Sequence, residues 1–421
     1  LAYAQMRVCV HRGTKEIGGS CVEVAHDGAR LLLDLGLPLD ATANDATCHP
    51  PVEGLDGSGD LLALILSHGH RDHVGLSHLA GPDLPVALGA ATLRILQAAA
   101  TFVPDTWVPP NTVTFGHGQS LTFGPFTVTP ILVDHSAFDA YALLVEAGGQ
   151  RLLYSGDLRA HGRKGALFER LVRSPPRAID ALLMEGSSLG RLDAERLFPT
   201  ESEIEDRFVA RFREMTGLAL VAASAQNIDR VVSLYRACKR TDRTLILDLY
   251  AAEILAATGH PSIPQSDWPN VAVFVPHHQR VRVKRTSRFD LLARHGQQRI
   301  YAKHLAALAP RAAVLFRHSL LLDLDRTGCL AGAEAIWSQW DGYLRQPRGK
   351  ALAADLATRD IPLTHAHTSG HASIPDLKRL VAAIAPRRLV PIHTFEPQRF
   401  PALFGASVDI KEDGQWWDTT A

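Results

Sequence analysis

Six consecutive residues, His68-Gly69-His70-Arg71-Asp72-His73, carry three imidazoles and one carboxylate. Imidazole nitrogen and carboxylate oxygen are zinc ligands, bonding at ~2.0–2.2 Å. On extended backbone His68 and His70 point to the same side. A turn after them lets Asp72 and His73 face a second metal. Two ions ~3.5–4 Å apart can share a water and lower its pKa toward neutrality, the chemistry of metal-assisted hydrolysis. Neither shell is complete within this run. Further candidates follow short apolar runs: His135 after 131–133, Asp157 after 153–155, and His393 after 389–392. Asp134, beside His135, is read as a supporting residue. The plain alternative for the run is a solvated histidine-rich loop. The chain's 20 histidines, many in tight groups, favour metal or acid–base roles instead. Imidazole–carboxylate sites accept manganese as well as zinc.

The elements that must position these groups are readable around them. Leu61–Leu66 is short and wholly apolar, a strand buried on both faces that delivers His68. Met6–His11, Ser20–Val24 and Arg30–Asp34 read as strands, with a glycine-rich loop, Gly13–Gly19, between the first two. Residues 84–100 read as a strand then a helix. Residues 112–155 read as a run of antiparallel strands broken by glycine turns, and Ile179–Glu185 as another strand. From about residue 190 helices alternate with single strands: helix 201–215, strand 218–222, helix 227–240, strand 244–247, and a helix from about 250. This is the pattern of a parallel sheet. Residues 259–270 read as a proline-rich loop and 329–360 as helical. Strands resume at 361–364 and 388–392. The division expected is 1–190, an inserted 191–362, and a return segment 363–421.

Length and composition bound these readings. The chain has 421 residues, 46% hydrophobic and 21% charged, enough for two compact domains and unlike a disordered or fibrous chain. No apolar run approaches the ~18–20 residues that span a bilayer. The start, Leu1–Met6, has no basic segment followed by an apolar stretch, so a cytoplasmic protein with no membrane association is expected. Cys9, Cys21, Cys48, Cys238 and Cys329 are odd in number and dispersed, and are read as free buried thiols. The 44 basic and 44 acidic residues sum to zero net charge. That sum hides a local imbalance: residues 277–304 hold Arg280, Arg282, Lys284, Arg285, Arg288, Arg294, Arg299 and Lys303 against Asp290 alone. A nucleic-acid partner is therefore not excluded.

His68-Gly69-His70-Arg71-Asp72-His73 followed by His135, Asp157 and His393 resembles the metallo-β-lactamase superfamily. The resemblance implies a four-layer αββα sandwich with metals at one edge. It implies His68, His70 and His135 on one zinc, Asp72, His73 and His393 on the other, and Asp157 bridging. Leu182–Ser188, His365–Ser373 and Val390–His393, with the inserted α/β region, resemble the extra motifs of the β-CASP nucleases, RNase J-like in kind. Glu185 matches the acidic motif, His371 the second and His393 the third, where histidine accompanies RNA processing. Leu218–Val232, which contains Ser224–Val231, resembles the first strand and helix of the inserted β-CASP domain. Two segments depart from the RNase J pattern: Phe316–Asp323 stands where a Gly-Ser-Gln-Gly-like segment is usual, and His393-Thr394-Phe395-Glu396-Pro397 where His-Gly-Glu is.

The resemblance implies a di-zinc hydrolase that cleaves RNA phosphodiester bonds, with a metal-bridging hydroxide as nucleophile. Asp72, Glu185 and His371 form the catalytic set, His371 serving as general acid oriented by Glu185. Read without it, Glu185 is a cap or loop carboxylate and His371 a loop histidine. His367, Ser369 and Gly370 match the phosphate-holding segment of RNase J-like enzymes. Ser369 or Ser373 as a plain helix N-cap is the alternative. Arg280, Arg282, Lys284 and Arg285 are expected to contact RNA backbone, against the reading of a solvated face. Phe289 and Tyr301 are available for base stacking, but a core role is expected for each. Single-stranded DNA as substrate, a small-ester or thioester hydrolase, and an inactive RNA-binding paralogue are the competing readings. Monomer and homodimer both fit.

Overall fold

The computed structural model describes residues 5–41, 45–104, 106–405 and 407–420. Leu1–Ala4, most of the segment read for a leader, lie outside the described residues. The chain divides into two units. One comprises Leu1–Ala100, Pro104–Phe198 and Gly370–Ala421; the other comprises Thr101–Val103 and Pro199–Ser369. The boundaries expected from sequence fall at 190 and 362.

The first unit is an αββα sandwich. One sheet has seven strands in the order Trp416–Asp418, Arg7–Arg12, Cys21–His26, Ala29–Leu33, Leu61–Ile65, Val86–Gly89, Thr112–Phe115. The other has six, ordered Arg388–Ile392, Ala181–Glu185, Gln150–Tyr154, Ala140–Ala147, Phe126–Val133, Leu121–Phe123. Alternate residues of both sheets meet in one core that includes Val8, Val10, Leu31, Ile65, Phe126, Leu143 and Leu183. The outer face of the six-stranded sheet packs Phe168, Leu377 and Phe400 from the helices Gly165–Arg173, Ile374–Ile384 and Phe400–Phe404. The outer face of the seven-stranded sheet is covered through Leu76, Leu84 and Leu96, the last from helix Ala90–Ala100.

The second unit is a parallel seven-stranded sheet ordered Arg299–Ile300, Val271–Phe274, Thr244–Asp248, Ala312–Phe316, Ala219–Ala222, Glu334–Trp337, Leu363–His365. Its strands are short and nearly all buried, as both faces of a parallel sheet require.

Three sequence readings change here. Thr112–Phe115 does not join the antiparallel run; it pairs in parallel with Val86–Gly89 at the edge of the first sheet. Strand pairing is set by tertiary contacts, which local alternation does not encode. Residues 329–360 are not helical throughout, because Glu334–Trp337 forms a strand beside Ala219–Ala222. Four residues carry too little periodicity to betray a strand among helix formers. Phe289 and Tyr301 are not in the core: they are 56% and 50% exposed.

Candidate metal centre

Strand Leu61–Ile65 ends in a loop that leads into the short helix Arg71–Val74, for which His70 is the N-cap residue. Backbone bonds stitch this turn to the neighbouring segment. Ser20 N–H donates to the Asp72 carbonyl, Leu35 N–H to that of His73, and Leu37 N–H to that of Arg71. Gly36 sits so close beneath that an added Cβ would lie 1.8 Å from the Asp72 carbonyl oxygen. Only glycine permits that approach.

The sequence-nominated ligands converge. Ligand atoms of His68, His70 and His135 lie within 4.8 Å of one another, and those of Asp72, His73, Asp157 and His393 form a second such group. The groups adjoin: Asp157 Oδ2 is 3.8 Å from His68 Nε2, 3.8 Å from His135 Nε2 and 3.2 Å from His73 Nε2, while Oδ1 is 3.8 Å from His393 Nε2. His135, Asp157 and His371 satisfy the same distance criterion.

The residues fit divalent ions by an independent observation. His68 Nε2, His73 Nε2, His393 Nε2 and Asp157 Oδ1 are buried and have no hydrogen-bond partner. Buried polar atoms are otherwise nearly always paired, since an unpaired one costs about 1–3 kcal/mol. Four such atoms, spread over the two adjoining groups, are what a site for divalent cations would leave.

The opposite ring nitrogens are held from behind, as metal-ligating histidines require. His135 Nδ1 lies 2.6 Å from the Gly370 carbonyl and His393 Nδ1 3.0 Å from Ser20 Oγ. His73 Nδ1 donates to Asp34 Oδ2 at 2.7 Å. Asp34 is fully buried. It also accepts from Ser67 N–H at 2.6 Å, Ser67 Oγ at 2.7 Å and Tyr154 Oη at 2.6 Å. Sequence reasoning missed Asp34, Ser20, Ser67 and Tyr154. Asp34 carried the signal used for Asp157, a carboxylate ending an apolar run. Asp134, read as support, accepts from Arg159 Nε at 3.3 Å and Gly162 N–H at 2.7 Å.

Electrostatics agree with ligand roles. Burial holds His68, His70, His135 and His393 below the usual imidazole range, so they are neutral and their lone pairs available. Burial opposes charge on Asp157, yet the imidazoles facing it, the charged His73 and His371 among them, hold its carboxyl well below the usual range. Burial also opposes charge on His73, but Asp157 and Asp34 push it well up. The negative charge that favours a proton there equally favours a metal cation.

Glu185 ends strand Ala181–Glu185, and His371 stands three residues before helix Ile374–Ile384. His371 Nδ1 is 3.2 Å from each Glu185 oxygen and 3.1 Å from Ser187 Oγ. Ser187 Oγ donates to Glu185 Oε2 at 2.8 Å. Although burial acts against it, Glu185 and Asp157 push the His371 imidazole up to about 9.

The nominated RNA contacts are dispersed. Gly370 belongs to the first unit, where an added Cβ would meet Ser136 Oγ at 2.8 Å. His367 and Ser369 belong to the second. Ser373, not Ser369, caps the following helix. Arg280, Lys284 and Arg285 are exposed on helix His277–Thr286. Arg282 is half-buried and donates to the Thr101 carbonyl. Arg288 pairs with Asp290, and Arg294 with Glu253.

An αββα sandwich carrying two adjoining His and Asp groups that could hold metal ions has the make-up of a metal-dependent hydrolase of the metallo-β-lactamase superfamily. Residues 29–193 match the family model described as a beta-lactamase superfamily domain, and residues 364–398 the model of a Zn-dependent metallo-hydrolase RNA specificity domain. The chain is 25% identical to Ribonuclease J of Mycobacterium tuberculosis over 427 aligned residues, covering 97% of this chain and 72% of that protein. It is 23% identical to Ribonuclease J of Mycolicibacterium smegmatis, covering 97% and 73%. A crystal structure of a protein of unknown function from Enterococcus faecalis V583 shares the fold, with TM-score 0.80 and 20% identity, covering 98% of this chain and all of that one. These matches support a metallo-β-lactamase chain of the β-CASP, RNase J-like kind. Among the described residues no helix is long and apolar enough to cross a membrane.

Proposed function

We propose that this chain hydrolyses RNA phosphodiester bonds with two zinc ions. His68, His70 and His135 would hold one ion, Asp72, His73 and His393 the other, with Asp157 available to both groups. The observation that carries the reading is the set of four buried, unpartnered ligand atoms beside a His371–Glu185 pair at 3.2 Å. Bound ions there supply charge neutralisation for the phosphate and an acidified water as nucleophile.

The chain's own groups do the rest. Glu185, braced by Ser187 Oγ and N–H, orients His371 through Nδ1 and stabilises its charged form. Nε2–H of the imidazolium then donates to the departing ribose oxygen, in the manner of a general acid. His367, Ser369 and Gly370, with Arg280, Arg282, Lys284 and Arg285, are assigned to the RNA backbone. RNA as substrate is supported by the RNA specificity model over 364–398 and by the Ribonuclease J relatives.

The test is cleavage of end-labelled RNAs bearing 5′-monophosphate, 5′-triphosphate or 5′-hydroxyl, beside a matched DNA, with zinc content measured on the same sample. Metal-dependent RNA cleavage is expected. The product ladder separates internal from terminal attack. Faster cleavage of the DNA would overturn the substrate assignment.

A further inference from the structure

Arg230 is among the largest side chains in the molecule to be wholly buried. It stands near the start of helix Ile228–Arg240 and faces Glu201, the first residue of helix Glu201–Glu214, which is 1% exposed. Arg230 Nε and Nη2 donate to the two Glu201 oxygens at 3.1 and 3.0 Å. Ser233 Oγ also donates to Glu201, at 2.9 Å. Nη1 then reaches the ends of two neighbouring strands. It donates to the Ser338 carbonyl at 2.8 Å and to Ser338 Oγ at 2.6 Å, and it lies 3.4 Å from His367 Nδ1. Nη2 touches the Thr368 carbonyl at 3.4 Å.

A buried ion pair is poor evidence of added stability, since apolar replacements of similar volume often serve as well. What this pair does supply is direction. A guanidinium has only donors. The imidazole nitrogen facing it must therefore present a lone pair, and the ring proton must sit on the other nitrogen. The Ser338 carbonyl, which favours a proton on the ring, is shared with Arg230, whose charge opposes that proton.

We infer that Arg230, clamped by Glu201, is a positioning residue that holds the His367 imidazole neutral with its proton on Nε2, so that Nε2–H is a single directed donor for a phosphate oxygen of the substrate. The phosphate part of this statement rests on the ribonuclease reading; the tautomer does not. Three further facts agree. Burial and the Arg230 charge hold His367 down to about 3, against the opposing Ser338 carbonyl and the Glu201 and Asp341 carboxylates. The ring is only partly buried, leaving an edge for a ligand. A fixed neutral tautomer also keeps the proton on Nε2, whereas an unrestrained neutral histidine can carry it on either nitrogen.

The decisive measurement is the 15N spectrum of histidine-labelled full-length protein, with His367 assigned by comparison with His367→Gln. Nδ1 is expected to be pyridine-like and Nε2 pyrrole-like, unchanged from pH 8 to pH 5. A protonated Nδ1, or titration near 6.5, overturns the inference. The paired change Arg230→Met with Glu201→Gln removes both buried charges together. Burial still holds the ring down in this variant, but His367 should titrate at a higher pH than in wild type and lose its fixed tautomer, and an unaltered ring would remove Arg230 from the role. The wild-type spectrum stands by itself should that variant not fold. RNA affinity, read on the metal-loaded protein with a cleavage-resistant backbone in the oligonucleotide, gives the second arm. His367→Ala should weaken binding of a 5′-phosphorylated oligoribonucleotide about ten- to a hundredfold. His367→Gln, whose amide N–H replaces Nε2–H, should restore it to within a few-fold. Failure of that rescue would show that a cation or the ring itself is needed, and would overturn the donor role. A wild type that binds no RNA would refute the ribonuclease reading while leaving the spectrum to decide the tautomer.

Discussion

Replacing Asp34 by Asn should loosen the metal centre without touching a ligand. Asp34 has φ +60°, a left-handed conformation that Asn tolerates nearly as well as Asp, so the backbone contributes little to the change. The chemistry is then isolated. The carboxylate accepts four hydrogen bonds: Ser67 N–H on Oδ1, and Ser67 Oγ–H, Tyr154 Oη–H and His73 Nδ1–H on Oδ2. Asn offers one acceptor oxygen. Placed at the Oδ2 position, it keeps the three donors there but turns its amide N–H toward Ser67 N–H, at a site only 2.6 Å away. Placed the other way, it opposes three donors at once. The first orientation is favoured, and it leaves one buried donor pair unsatisfied, about 1–3 kcal/mol of folding stability. His73 also loses the negative charge behind its Nδ1–H, which lowers its basicity at Nε2. Loss of such a carboxylate typically weakens metal affinity 10–100-fold. The assay is competition with a chromogenic chelator at fixed pH, followed by activity at saturating metal. Affinity should fall and activity should return as metal is restored. Unchanged affinity, with the variant folded, would refute the claim that Asp34 aims His73 at a cation.

Other consequences are open to test. His371→Ala should retain bound metal by elemental analysis and lose about 10²–10⁴-fold in turnover, as loss of a general acid predicts; full activity would remove it from the mechanism. Arg280→Gln with Arg285→Gln should reduce RNA affinity and flatten its dependence on log salt by roughly 0.7 for each phosphate no longer neutralised, and an unaltered slope would return these exposed side chains to a solvated face. Glu23 is buried, and although burial acts against it, bonds from His11 and Arg30 lower its carboxyl below the ordinary 4.5. Its contribution is therefore present above pH 4.5 and lost as pH falls through the lower folded value. Thermal melts of Glu23→Gln should show it less stable than wild type at pH 6, with the gap closing toward pH 3; a constant gap would contradict the linkage.

The metal cluster was legible because its spacing is local. Three histidines and an aspartate in six residues at a strand end have few other uses, and His135, Asp157 and His393 each follow an apolar strand. Asp34 was equally strand-terminal, but what marks it is the meeting of Ser67, His73 and Tyr154 on one oxygen, a tertiary fact. Arg230 and Glu201 stood in a readable helix and at a helix start, where charged residues are commonplace; their burial is invisible without the fold. The α/β texture of the insertion was legible from residue 201 to about 250. It then failed where strands shrank to four residues, as at Glu334–Trp337, and where the partner strand lay far off in sequence, as for Thr112–Phe115. Hydrophobicity alone places Phe289 and Tyr301 inside, whereas both sit in a strongly basic, exposed stretch.

The order in which the ligands occur along the chain has a consequence for biosynthesis. His68 through Asp157 emerge from the ribosome before the inserted unit, and His393 emerges after it. At roughly 5–20 residues per second, the nascent chain carries an unfinished centre for roughly 10–50 s. Over the same interval the strand Ala181–Glu185, buried throughout in the finished fold, lacks the neighbour Arg388–Ile392 that pairs with it in parallel. An apolar strand with one open edge is a template for pairing with another chain. Closing that edge and supplying the last imidazole are thus one event, accomplished by the same five residues and the histidine that follows them. Until it happens the newborn chain lacks one of the clustered imidazoles and keeps an adhesive edge.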